Sequence, residues 1–191
     1  MKDMINVNVT AKKFDIDKLK TDILAVAMFE DEKLAGLTAE LNKKLDNIVE
    51  KLISLGDFKG KADSSSIVYS NGRIGADRVM LVGLGKKDKF EPADLRKAAS
   101  TVSAKAVDCK AKAVTLTLHQ QIKDSDLEKT GQVLTEGAFF GAYRYDEKKK
   151  KKDRPKKLSV SIADQDNKAL TKLRKGIKTG KAIGDAQSFA R

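Results

Sequence analysis

Cysteine and histidine occur once each in this chain, as Cys109 and His119, and tryptophan does not occur at all. A single thiol excludes an intramolecular disulfide. With no signal-peptide pattern at the start of the sequence, it points to a reducing, cytoplasmic setting. A zinc-type centre needs three or four ligands converging on one point. One imidazole and one thiol at opposite ends of a predicted strand supply no such set. His119 as a catalytic base has no G-x-S-x-G elbow to serve. Long apolar runs are also missing. The longest near the start covers residues 23–29, far short of the roughly 20 residues a bilayer-spanning helix requires.

What remains is the composition of a folded domain. Hydrophobic residues make up 40% of the 191 and charged residues 35%, with 13 glycines and 2 prolines. A chain of this length buries a core without metal or disulfide support, and one domain is the natural expectation. The net charge of +12 is unevenly placed. Residues 144–191 hold 16 Lys/Arg against 6 Asp/Glu, whereas residues 1–143 are close to balanced with 23 against 21. The basic excess therefore belongs to the C-terminal quarter. Its densest part is Lys148, Lys149, Lys150, Lys151, Lys152, Arg154, Lys156 and Lys157. That run is the candidate nucleic-acid contact. No aromatic residue interleaves it to stack bases, so a solvated loop is the plain alternative.

Hydrophobic patterning predicts alternating strands and helices. Ile5, Val7 and Val9 alternate with polar residues, as in a half-buried strand. Residues 23–29 read as a strand covered on both faces. Leu37, Leu41, Leu45, Ile48, Val49, Leu52 and Ile53 repeat at three and four, predicting one amphipathic helix capped by Thr38 and ended by Gly56. Residues 66–69 and 78–82 read as strands joined through Asn71-Gly72. Pro92 opens a second helix carrying Leu95, Ala98, Ala99, Val102 and Ala106. Residues 113–118 form the next strand. Ser125-x-x-Glu128 predicts a capping box for a third helix running to about Tyr143. Residues 158–162 make a final strand, and a last helix runs from about Asp166 to Ala190. The expected architecture is α/β, a mixed, largely parallel sheet flanked by helices on both faces. The expected domain body is 1–165, followed by a C-terminal helical segment, 166–191.

Gly83-x-Gly85 after a strand invites comparison with a phosphate cradle. The dinucleotide fingerprint needs a third glycine where Asp88 stands, so a tight strand-to-helix connection is expected instead. Pairs such as Asp124/Asp126 and Glu30/Asp31 read as caps and loop residues. Gly176, Gly180 and Gly184 recur every four residues, which predicts a close helix–helix approach along one stripe.

Four segments resemble the N-terminal domain of the leucyl aminopeptidase family of dinuclear-metal exopeptidases. Thr21-Asp22-Ile23-Leu24-Ala25-Val26 resembles an early strand. Residues 78–86, Arg-Val-Met-Leu-Val-Gly-Leu-Gly-Lys, resemble a strand and turn, with Phe90 and Leu95-Arg96 following. Glu136-Gly137 through Gly141 to Tyr143 resembles an E-G-x-x-x-G-x-Y helix, continued by Tyr145-Asp146. Residues 180–191 resemble the helix ending in Ala-Arg that leads into the catalytic domain.

The resemblance implies a macro-domain-like fold and a catalytic domain following this segment as its partner. It also implies a hexamer in the full-length protein and two divalent metals, zinc or manganese, held by that later domain. No catalytic, metal or cofactor residue carries over onto this chain, which by itself is expected not to be an enzyme. Asp22 and Gly36 stand as distant counterparts of the Asp and glycine-rich loop of ADP-ribose-binding macro domains. Met28-Phe29-Glu30-Asp31 replaces their Asn-rich stretch. Because residues 180–191 link two domains in the family, the helix beyond about Ile177 is expected to be the least ordered, or to be shared with a neighbouring copy.

Overall fold

The computed structural model describes residues 5–143 and 156–189, with side chains through Ala186. Its centre is a six-stranded sheet: β1 (Asn6–Lys13), β2 (Thr21–Met28), β3 (Ser65–Tyr69), β4 (Ala76–Gly83), β5 (Ala113–Leu116) and β6 (Lys157–Asp164). The spatial order is β1-β6-β5-β2-β4-β3, and only the β3–β4 pair at one edge is antiparallel. The helices are α1 (Gly36–Lys44), α2 (Ile48–Leu55), α3 (Pro92–Asp108), α4 (Leu127–Ala142) and α5 (Asn167–Phe189). The mixed, mostly parallel sheet with helices on both faces is as the patterning predicted.

The period-2 geometry of the strands divides the core in two. Ile23, Ala25 and Ala27 of β2 join Met80, Val114, Leu116, Val160 and Ile162 beneath α3, α4 and α5. Leu24, Val26 and Met28 point the other way and join Val79, Leu81, Leu41, Leu45 and Val49 beneath α1 and α2. The connection from β1 to β2 covers part of this second face, burying Phe14 and Ile16. Burying a side chain such as Leu24 or Ile23 fully contributes about 1.5–3 kcal/mol. Two such cores, one on each side of β2, explain why residues 23–29 are apolar without alternation. Among the described residues, no helix is long and apolar enough to cross a membrane.

Three sequence expectations are corrected. The helix predicted across residues 37–53 is broken into α1 and α2, because Asp46 and Asn47 adopt left-handed φ values of 53° and 59°. Asp and Asn tolerate that region better than other side chains. Buried Asn42 compensates for the interrupted ladder: its Oδ1 accepts from Glu50 N at 3.0 Å, and its Nδ2 donates to Asn47 Oδ1 at 3.1 Å. Thr38 is not a cap. It is buried inside α1, where its Oγ1 accepts from Gln121 Nε2 at 3.1 Å. The N-cap of α4 is Asp126 rather than Ser125, its Oδ1 accepting from Glu128 N and Lys129 N at 2.9 and 3.2 Å. A carboxylate facing the positive end of a helix is a stronger acceptor there than a hydroxyl.

The glycine stripe behaves as its spacing predicts. A Cβ at Gly176 would lie 1.8 Å from Glu128 O, and one at Gly180 would lie 2.7 Å from Gln132 O. On α4, Gly131 answers them against Leu173 O at 2.5 Å. The partner for this stripe is α4 of the same chain, so no neighbouring copy is needed to cover it.

Candidate functional site

Ligands of open α/β sheets lie outside the carboxyl ends of the strands, where the chain order reverses. Here that rim is formed by residues following β2, β4, β5 and β6. After β4, Gly83, Leu84 and Gly85 turn towards α3, and their amide groups are already engaged. Gly83 N donates to Ser64 O at 2.9 Å, Leu84 N to Met28 O at 2.8 Å and Gly85 N to Gly60 O at 2.9 Å. The 60–64 turn sits directly on the glycines. A Cβ at Gly83 would lie 1.9 Å from Lys61 O, and one at Gly60 would lie 2.4 Å from Phe29 O. The turn is a close backbone joint, as expected, and offers no free donors to an anion. Beyond it, Asp94 Oδ2 accepts from Glu91 N at 2.9 Å and places a carboxylate at the entry to α3.

After β2, Phe29 packs edge-on against Phe90 with centroids 5.4 Å apart, and Lys87 bridges the Phe29 face and Glu32. Asp31 turns with a φ of 59°. Glu30 and Asp31 thus belong to the loop that closes the rim, as the caps-and-loops reading expected. Asp22 lies at the other end of the sheet. Its Oδ2 accepts from Lys112 N at 2.5 Å and Ala113 N at 3.1 Å, locking β2 to the start of β5. Gly36 has a φ of +54° and open space around it. Asp22 therefore does not reach the rim, and Gly36 opens α1 beyond the loop that follows β2.

The rim does carry a buried histidine. His119 follows β5 and donates through Nε2 to Asp164 Oδ2 at the end of β6, 2.9 Å away. The His119 hydrogen bond holds the Asp164 carboxyl below its ordinary range, assisted by the amides of Asp166 and Gln165 and opposed by burial. His119 Nδ1 is buried and, among the described residues, has no hydrogen-bond partner. Gln120 Nε2 donates to Ala163 O at 3.1 Å alongside. The group clasps the β5 exit to β6. Cys109 caps the far end of α3 and is separated from His119 by the whole of β5. Among the described residues, no three His, Cys, Asp or Glu side chains are placed to hold a metal ion.

Lys148 to Lys152 and Arg154 lie outside the described residues. Lys156 and Lys157 are exposed at the start of β6, at the amino edge of the sheet and away from the rim.

The E-G-x-x-x-G-x-Y segment proves to be a scaffold. Glu136, nearly buried, pairs with Arg96 of α3 at 2.7 Å and accepts from Gln132 Nε2 at 2.7 Å. Gly137 and Gly141 admit the α3 backbone: added Cβ atoms would lie 2.3 Å from Arg96 O and 2.0 Å from Ser100 O. The Arg96–Glu136 and His119–Asp164 pairs escaped the sequence reading. Their partners are 40 and 45 residues apart, and no local periodicity links them.

Comparison with known proteins matches this arrangement. The model of the cytosol aminopeptidase family's N-terminal domain matches residues 25–152. A probable cytosol aminopeptidase of Sulfurihydrogenibium sp. (strain YO3AOP1) is 34% identical over 189 residues, covering 98% of this chain and 37% of that protein. One from Nitrosococcus oceani is 31% identical over 180 residues, covering 92% and 36%. The chain thus spans a little over a third of the length of these relatives. Among solved structures, a mutant of tomato leucine aminopeptidase superposes with a TM-score of 0.73 at 19% identity, covering 96% of this chain and 38% of that one. A Trypanosoma brucei macrodomain in complex with ADP superposes with a TM-score of 0.65 at 10% identity, covering 90% and 69%. Those two likenesses establish the fold.

Proposed function

Since this chain belongs to the cytosol aminopeptidase family and carries that family's N-terminal domain, we propose that it is a non-catalytic accessory module of a cytoplasmic, metal-dependent aminopeptidase. The observation that supports this most directly is the family match at residues 25–152, on a segment that corresponds to 37% of the first relative's length. In this reading the remaining part of such a protein holds two divalent metals, zinc or manganese, and releases N-terminal amino acids from peptides. This domain packs against that part through the end of α5 and contributes to assembly of a hexamer.

The internal chemistry is consistent with a scaffold. The glycine-turn amides are engaged, the Arg96–Glu136 and His119–Asp164 pairs join neighbouring elements, and the glycine faces of α4 and α5 bring the two helices close together. The purified chain, supplied with manganese or zinc, is expected to release no amino acid from leucyl substrates. Metal-dependent hydrolysis that survives stringent purification and disappears on mutation of a residue of this chain would overturn the reading.

A further inference from the structure

The scaffold role does not account for the Asn71-Gly72 turn, which projects from the β3–β4 hairpin at the sheet edge. Asn71 and Gly72 have φ values of 51° and 77°, and Arg73 N donates to Ser70 O at 3.1 Å. Positive φ at both central residues makes this a type I′ turn, for which Asn-Gly is a favoured pair. The limbs of the turn are anchored. Ser70 N donates to Asp77 O at 3.1 Å, Thr21 N donates to Gly75 O at 3.0 Å, and a Cβ at Gly75 would lie 1.6 Å from Leu19 O. Its tip stands in solvent: Asn71, Gly72 and Arg73 are exposed, and a Cβ at Gly72 would meet nothing within 4 Å. Gly72 is thus needed for its backbone conformation and not for a close approach. Among the described residues, neither the Gly72 amide nor the Asn71 carboxamide makes a hydrogen bond. Arg73, the next residue, pairs with Asp46 at the break between α1 and α2.

We propose that Asn71 is a site of spontaneous covalent modification, at which the folded chain converts a side-chain amide to a carboxylate and part of its population to an isoaspartyl link. The Gly72 nitrogen gives its proton to solvent base and attacks Asn71 Cγ. The N–Cγ bond forms, the Cγ–Nδ2 bond breaks, and Nδ2 leaves as ammonia, closing a cyclic imide. Water then opens the imide. Breaking the new N–Cγ bond gives an aspartyl residue. Breaking the bond from Gly72 N to the Asn71 backbone carbonyl carbon gives the isoaspartyl form. One water is taken up and one ammonia released, with no oxidant or reductant. The attack needs an uncrowded following residue, an amide that no acceptor holds and a side chain able to rotate. Of the six asparagines only Asn71 precedes glycine, whereas Asn6, Asn8, Asn42, Asn47 and Asn167 precede Val, Val, Lys, Ile and Lys. Asn42 and Asn47 are also held by the hydrogen bond between their side chains. The new carboxylate stands two residues from Arg73 and competes with Asp46 for its guanidinium. The isoaspartyl form adds one carbon to the backbone between Ser70 and Arg73, so the hydrogen bond that closes the turn is lost.

The test is to age the purified chain in mildly alkaline buffer and follow each asparagine by peptide mass spectrometry, with isoaspartate read by enzymatic carboxyl methylation. Asn71 should be converted first, to a mixture of aspartyl and isoaspartyl products. Asn71→Gly keeps a left-handed turn and should abolish the methylation signal. Gly72→Asp also keeps the turn, because Asp tolerates positive φ and its Cβ has room. It should slow the conversion about tenfold or more, a barrier higher by about 1.4 kcal/mol. Equal rates in the parent and Gly72→Asp overturn the proposal. So does conversion of another asparagine ahead of Asn71, or a folded protein that stays unmodified while a peptide of residues 66–76 reacts. In the modified fraction, separated by ion exchange, hydrogen exchange at the Arg73 amide should be faster than in the parent. Unchanged exchange there overturns the predicted opening of the turn.

Discussion

Replacing Gly176 with alanine tests the helix layer at its tightest point. In an isolated helix the change is favourable by about 0.8–1.0 kcal/mol, because glycine gives up more backbone entropy than alanine. In this chain the new Cβ would stand 1.8 Å from Glu128 O, 2.8 Å from Glu128 C and 2.7 Å from Gln132 N, all backbone atoms of α4. Backbone cannot swing aside as a side chain can, so α5 must move bodily away from α4. Overpacking of this kind costs about 1–3 kcal/mol and occasionally more, and a clash with a carbonyl oxygen belongs at the upper end. The steric cost therefore exceeds the propensity gain, leaving a net loss of about 2 kcal/mol. For a domain of this size, that lowers Tm by roughly 4–8 °C. Gly184→Ala is the internal comparison. Its Cβ would meet the Phe139 ring at 2.7 Å, a side chain that can rotate, so its loss should stay below about 1 kcal/mol. Thermal unfolding followed by far-ultraviolet circular dichroism reads both. A Gly176→Ala protein that melts at or above the parent temperature would refute the close approach of α5 to α4.

Two further outcomes follow from the rim. The folded-state pKa of Asp164 is depressed, chiefly by the His119 hydrogen bond. Its stabilising contribution is therefore present above the unfolded-state pKa of about 4 and is lost as pH falls through the lower folded value. Urea titrations at pH 6 and pH 3 should show a smaller acid loss in His119→Leu than in the parent, with His119→Gln, which keeps a donor, in between. Equal acid losses in all three would remove His119 as the cause. For the glycine turn, calorimetry with ADP-ribose should show no saturable heat at micromolar concentrations. The amides of Gly83, Leu84 and Gly85 are engaged, and Glu30 and Asp31 stand on the loop beside them. A saturable micromolar isotherm would contradict that account.

The fold was legible wherever local pattern and tertiary environment ask for the same residue. The unalternated run at 23–29 needs two covered faces, and β2 sits between two cores. Pro92 begins α3 because its missing N–H is one that a first turn leaves unpaired anyway. The reading failed where a local signal had two solutions. Apolar spacing continues smoothly through residues 45–48, so periodicity alone predicts one helix. The Asp46-Asn47 pair, both tolerant of left-handed backbone, was the visible warning. Asn42, which supports the break, is recognisable only once α2 is in place. Ser125 and Asp126 offered adjacent caps, and the stronger acceptor took the position. The pairs at His119–Asp164 and Arg96–Glu136 could not be read at all. Each joins elements brought together only by the parallel crossovers.

The same distinction explains how this chain shares a topology with macrodomains while the amides of its Gly83-Leu84-Gly85 turn are taken up by its own carbonyls. Strand order and the direction of the crossovers determine where a crevice can form. They do not determine what fills it. In this chain the 60–64 turn lies over the β4 exit, taking the Gly83 and Gly85 amides through Ser64 O and Gly60 O. The glycines are required because that turn is so close: a Cβ at Gly83 would meet Lys61 O at 1.9 Å. Gly-x-Gly after a strand therefore records intimate backbone contact, whatever makes it. In a nucleotide-binding site the contacting group is a phosphate, and here it is the chain's own carbonyls. The basic excess of this chain lies elsewhere in the sequence, in residues 144–191.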